Sequence, residues 1–123
     1  MTVPQDHPFP KTMRLGGRGV FKPIYDAKVK AARGPLVAFA KPNDVGHSRL
    51  GISVRRDVGT AARRNRIKRL LRESFRLGQH DWPAAYDLVI VVRPHVPLDL
   101  AEYQALMAGY IDRLHAAWAR RSS

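Results

Sequence analysis

No cysteine occurs in this chain. Disulfides, zinc–thiolate centres and thiol catalysis are therefore excluded, and the composition suits a reducing cytosol without proving one. Long apolar runs are missing too. The longest, such as Leu88–Val92, have five residues, whereas a membrane helix needs roughly 20. The start, "MTVPQDHPFPKT", has no apolar h-region, so neither export nor membrane insertion is expected and the expected location is cytoplasmic. Catalytic constellations are equally scarce. The five histidines, at 7, 47, 80, 95 and 115, are scattered, with no pair at metal-ligand spacing. The ten carboxylates lie largely outside the most basic segment, which leaves little from which to build a two-metal nuclease centre. There is no Gly-rich phosphate loop, and Ser53 and Ser74 have no evident base partner. A catalytic site carried by this polypeptide alone is not expected.

Positive charge is what the chain has in excess. The 123 residues carry a net +12, and the excess is unevenly placed: residues 49–76 hold ten basic and two acidic side chains, while residues 86–123 balance four against four. The stretch "TAARRNRIKRLLRESFR" (60–76) sets seven arginines and lysines beside one carboxylate, Glu73. Like charges three and four residues apart repel on a helix, so folding by itself does not favour this composition. An anionic partner does, and a basic middle joined to a neutral end is the footprint of a polyanion-binding face. Arginine's planar fork favours bidentate contact with phosphate. Asn65, bracketed by Arg64 and Arg66, can donate to phosphate and accept from a 2′-hydroxyl. The charge points to nucleic acid without choosing RNA over DNA.

The length fits one domain, 1–123, with a modest core. Residues 1–15 are Pro-rich and expected to be poorly ordered, and residues 116–123 are expected to fray. From Arg18 to Lys30, Val20, Phe21, Ile24, Tyr25, Ala27 and Ala31 recur at helical spacing; Pro23 is tolerable there in a first turn. "PLVAFAK" (35–41) and "SRLGISVR" (48–55) read as strands joined by a turn, "PNDVGH". A second helix opens at Gly59–Thr60, with Thr60 as N-cap, and closes at Gly78. Ile67, Leu70, Leu71 and Phe75 form its apolar stripe; Asn65, Arg69, Arg72 and Arg76 fall on the opposite side, flanked by Arg66 and Lys68. "YDLVIVVRP" (86–94) reads as a covered central strand. Residues 99–121 read as a helix opened by the capping box Asp99–Glu102. The order α-β-β-α-β-α predicts a compact α/β (α+β) two-layer sandwich.

"RLGISVRRDVGTAARRNRIKRLLRESFR" (49–76) resembles the signature of the bacterial ribonuclease P protein subunit family. The matching pieces are "LGISV", the Gly59 turn, Arg64-Asn65-Arg66, Lys68-Arg69 and Arg72-Glu73. The resemblance extends more weakly over roughly residues 11–115, through Phe21, Tyr25, "PLVAFA" and "YDLVIVVRP". It departs from the pattern at Asp57, where lysine is usual, at Pro23, and at Lys28, near a position where glycine is common. The resemblance implies a ribosomal-protein-like sandwich with a left-handed β-α-β crossover, against the usual hand. It implies a non-catalytic subunit of an endoribonuclease that removes the 5′ leader of precursor tRNA, with catalysis in an RNA subunit and Mg2+ bound mainly by that RNA and the substrate. It implies an RNA-subunit face of Arg63, Arg64, Asn65, Arg66, Lys68, Arg69 and Arg72, and a leader cleft of Phe21, Tyr25, Phe39, Ser53 and Arg55. It assigns no metal ligand to the protein with certainty. Base stacking on such rings is sequence-tolerant, yet each aromatic suits a core equally well, and alternation leaves the face of Phe39 undecided. The competing readings are an rRNA-binding protein of the same architecture and a DNA-binding helix. The latter lacks a preceding helix at helix-turn-helix spacing.

Overall fold

The computed structural model describes residues 10–17 and 19–122. Three helices and four strands occur in the order α1 (Lys22–Asp26), β1 (Lys30–Arg33), β2 (Leu36–Pro42), β3 (Arg49–Val54), α2 (Ala61–Gly78), β4 (Tyr86–Val92) and α3 (Leu100–Ser122). The strands form one sheet in the order β1-β2-β4-β3. β4 runs antiparallel to β2 and parallel to β3, so α2 is the crossover of a parallel β-α-β unit. β2 and β4 are internal strands, which is why both read as apolar runs. Leu36, Ala38, Ala40, Leu88, Ile90 and Val92 join Ile67, Leu71 and Phe75 of α2 and Tyr103, Met107, Tyr110 and Leu114 of α3 in the main core. On the other face, Val89 packs with Leu15 and Ile24, beneath the short α1. This is the expected α+β sandwich with one strand more than its expected element order.

That strand is the main correction. The helix expected over Arg18–Lys30 is reduced to five residues, with Pro23 accommodated in its first turn; Arg18 lies outside the described residues. The chain leaves the helix at Lys28, whose φ of 61° is left-handed. Ala31 then pairs with Ala38 across a β1–β2 hairpin closed by Gly34 and Pro35. A side chain at such a φ costs roughly 1 kcal/mol. Lys28→Gly is accordingly expected to raise stability by about 0.5–1 kcal/mol. The check is a higher urea midpoint at unchanged m; a lower midpoint would refute the assignment of strain.

Both ends are better anchored than their composition predicts. Residues 1–9 lie outside the described residues. Lys11–Met13 form a 3-10 turn, Arg14 bridges to Leu50, and the Leu15 amide donates to the Leu50 carbonyl at 2.9 Å. Leu15 supplies the reason, since it is buried under α1. Instead of fraying from residue 116, α3 continues through Ser122, because the Trp118 indole donates to the Ala40 carbonyl at 2.9 Å and Arg121 lies over its ring. Gly78 does not close α2 with a left-handed turn. Its φ is −100°, and the chain passes into a 3-10 turn, Gln79–Asp81, that brings Trp82 edge-on to Phe75.

Candidate nucleic-acid interface

α2 begins where local chemistry requires. Gly59 has φ 153°, and a Cβ there would stand 2.5 Å from Cδ of Arg63. Glycine therefore both permits the turn and lets the Arg63 stem lie across it. Thr60 caps the helix, its Oγ1 accepting from the Arg63 amide at 3.1 Å. The α3 capping box forms as well: Asp99 accepts from the Glu102 amide at 2.8 Å and Glu102 from the Asp99 amide at 3.1 Å.

The cationic helix is not uniformly exposed. Arg63, Asn65, Arg66 and Arg69 are exposed, whereas Arg64, Lys68 and Arg72 are half-buried. Arg64 Nε is shielded from solvent and has no hydrogen-bond partner among the described residues. The Arg72 pKa is pushed down by burial and, secondarily, by Arg14, which the bridge to Leu50 carries out of the N-terminal segment. Arg76 is held by Glu73 in a bidentate pair, at 2.9 and 2.6 Å. The single carboxylate of the stretch is thereby used on a residue at its end. Among the described residues no ion pair engages Arg63, Arg64, Arg66, Lys68, Arg69 or Arg72. Ser74 is buried and donates to the Leu70 carbonyl at 2.8 Å. Its hydroxyl is a structural group.

On the other face of the sheet, α1 and the strands build an aromatic cleft. Tyr25 packs edge-on to Phe39 with centroids 4.8 Å apart, and Phe21 edge-on to Tyr25 at 6.2 Å. All three rings are half-buried. Phe39 thus belongs to the α1 face; its β4 partner is Val89, and Val89 in turn pairs with Gly51. A Cβ on Gly51 would meet Phe21 Cε1 at 2.4 Å, so the Phe21 ring lies directly on the strand backbone. Burial pushes the Tyr25 phenol above its ordinary pKa, and a hydrogen bond with Ser53 opposes that shift. Arg55 is not drawn into the cluster. It follows β3 in an exposed position and pairs with Asp57 at 3.2 Å. The position that departs from the resemblance therefore bears on a predicted site residue. The far end of the sheet is closed by Arg49, which holds Asp87 through two contacts of 2.8 Å, with Asn43 donating to the same carboxylate.

The Ribonuclease P family model matches residues 9–115. A ribonuclease P protein component from Photorhabdus laumondii is 39% identical over 117 residues, covering 93% of this chain and 96% of that protein. Among solved structures, an RNase P protein from Thermotoga maritima superposes with a TM-score of 0.70 at 30% identity, covering 78% of this chain and 92% of that one. A Staphylococcus aureus RNase P protein mutant, described as defective in mRNA degradation, superposes with a TM-score of 0.73 at 28% identity, covering 83% and 87%.

Proposed function

Because the chain belongs to the ribonuclease P protein family, a component of a tRNA-processing ribonuclease, we propose that it binds a catalytic RNA subunit through α2 and the 5′ leader of precursor tRNA through the α1 cleft. The observation that carries this reading is the segregation of two surfaces. Six cations of α2 have no ion-pair partner among the described residues, and they lie on the sheet face opposite the half-buried aromatics. Bringing two RNAs together is opposed by phosphate repulsion. The α2 cations lower that cost and release counterions. The rings of Phe21, Tyr25 and Phe39 offer edges and faces to unpaired bases, which accommodates leaders of many sequences. Ser53 adds a hydroxyl beside them. Arg55 supplies a cation at the strand's end, its charge partly offset by Asp57.

Among the described residues no group of three or more His, Cys, Asp or Glu side chains is placed to hold a metal ion. The fit is instead with phosphate oxygens of the RNA subunit and substrate, where bound Mg2+ supplies the activated water and charge neutralisation of phosphodiester hydrolysis. What the protein's residues do is bind and orient. The protein alone is expected not to cleave precursor tRNA, and to raise cleavage by ribonuclease P RNA at a few millimolar Mg2+ or less. The assay is 5′-leader release with RNA alone, protein alone and both together. Cleavage by RNA-free protein that one carboxylate substitution abolishes would overturn this reading.

A further inference from the structure

Three arginines that the sequence keeps far apart meet around one tyrosine. Arg33 ends β1, Arg93 follows β4, and Arg113 lies in α3. The Tyr110 hydroxyl donates to the carbonyls of Arg33 and Leu36, at 2.5 and 3.4 Å. Arg113 donates to the Ala32 carbonyl at 3.4 Å, and the Arg93 amide to the Pro35 carbonyl at 2.8 Å. Backbone contacts therefore hold all three in place. Burial pushes the Tyr110 phenol up to about 12 despite the pull of Arg113, Arg33 and Arg93, so the ring stays neutral beside them. All three arginines are exposed, and among the described residues none is in an ion pair. Arg33 and Arg113 flank a groove of about 380 Å³ between α3 and the β1–β2 turn, floored by Pro35, Leu98 and Leu106. Glu102 also lines this groove, but its carboxylate is engaged at the start of α3 by the Asp99 amide.

The sheet register places the cluster relative to α2. Arg33 is opposite Leu36, Leu36 opposite Val92, and Val92 opposite Val54. Arg33, Arg93 and Arg55 thus stand at one end of the sheet, on β1 and just beyond β4 and β3, in a row that spans about 14 Å at the usual strand spacing. The row leads to Arg56 and the start of α2. Mutually repelling guanidiniums held without carboxylates are a cost to folding that a polyanion removes.

We propose that Arg33, Arg93 and Arg113 form a phosphate-binding site for the backbone of the RNA subunit, extending the α2 interface across the end of the sheet to α3. The occupant is the RNA subunit and not the leader, because α3 packs on the α2 side of the sheet while the cleft lies on the other. The site rests on the reading of α2 as the RNA-subunit face.

The test measures the affinity of the full chain for transcribed ribonuclease P RNA over a range of KCl concentrations. Arg33→Gln with Arg113→Gln preserves the aliphatic stems. It is expected to weaken binding roughly tenfold and to flatten the salt dependence by about 1.5 or somewhat more. Arg93→Gln alone changes no side-chain hydrogen bond of the cluster and is expected to act in the same direction, which keeps the test decisive if the double variant folds poorly. Arg64→Ala with Arg66→Ala tests the premise in parallel. If that pair weakens binding while the Gln variants leave affinity and slope unchanged, the site is refuted and the α2 reading stands. If neither set has an effect, the α2 reading fails and the site with it. A loss confined to precursor tRNA, with RNA-subunit affinity intact, would assign the groove to the substrate and overturn the proposal.

Discussion

Alanine at both Arg64 and Arg66 is expected to weaken assembly with the RNA subunit by about 2–4 kcal/mol, the scale of two charge-assisted contacts. That is on the order of 30- to 1000-fold in Kd. The salt slope should fall by about 1.5–2 if both side chains meet phosphate. Stability should move the other way or not at all. Arg64 is half-buried and its Nε has no partner among the described residues, so removing it relieves a desolvated donor; Arg66 is exposed and in no ion pair. Neither change touches the Thr60 cap or the first buried residue of the helix, Ile67. The paired measurement is RNA affinity against KCl concentration and thermal melting of the free protein. Unchanged affinity and slope in the double variant would remove the motif from the interface.

Truncating the cleft aromatics separates binding from packing on the opposite face. Tyr25→Ala is expected to cost about 1–3 kcal/mol of the preference for precursor tRNA over leaderless tRNA, the range for one stacked base. Its stability cost should stay below the roughly 3–5 kcal/mol of a fully buried aromatic, because the ring is only half-buried. Phe21→Ala should lose less discrimination and more stability, since that ring covers Gly51 and packs beside Leu15 and Ile24. Gly51→Ala offers an independent route to the same geometry. Its new Cβ would displace the Phe21 ring without deleting an aromatic, so leader preference should fall with the cluster intact in composition. RNA-subunit affinity should barely change in all three. If the variants melt early while leader discrimination in the folded fraction is untouched, these rings are core and the cleft assignment is wrong.

The elements readable in the sequence were those specified by neighbours along the chain. The amphipathic stripe of α2, the Thr60 cap, the Asp99–Glu102 box and the covered strand at Tyr86–Val92 all depend on residues within a turn or two of one another. The same locality misled at residues 27–33. Ala27 and Ala31 suit a helix by spacing, but Lys28 turns left-handed and Ala31 finds its partner in Ala38. A contact between two strands leaves no trace in a window that contains only one of them. Gly78 misled in a related way. Its composition suggested a left-handed stop, and the docking of Trp82 on Phe75 takes the chain onward in a right-handed turn.

By itself the sequence determined the basic middle of the chain, the helix that carries it, and the lack of a catalytic constellation, because charge, periodicity and capping are additive over short stretches. Tertiary structure alone decided which face each of these serves. Phe39 turns toward Tyr25 because β4 sets the register of β2. Arg76 drops out of the free cations because Glu73 reaches it, whereas Arg72 is pressed against Arg14 by a bridge from the opposite end of the chain. Arg33, Arg93 and Arg113 lie in stretches whose charge looks unremarkable along the chain, and they become a cluster only where β1, β4 and α3 converge on Tyr110. Side-chain alternation and helical phase are intrinsic to the backbone, but register and packing are fixed by partners tens of residues away.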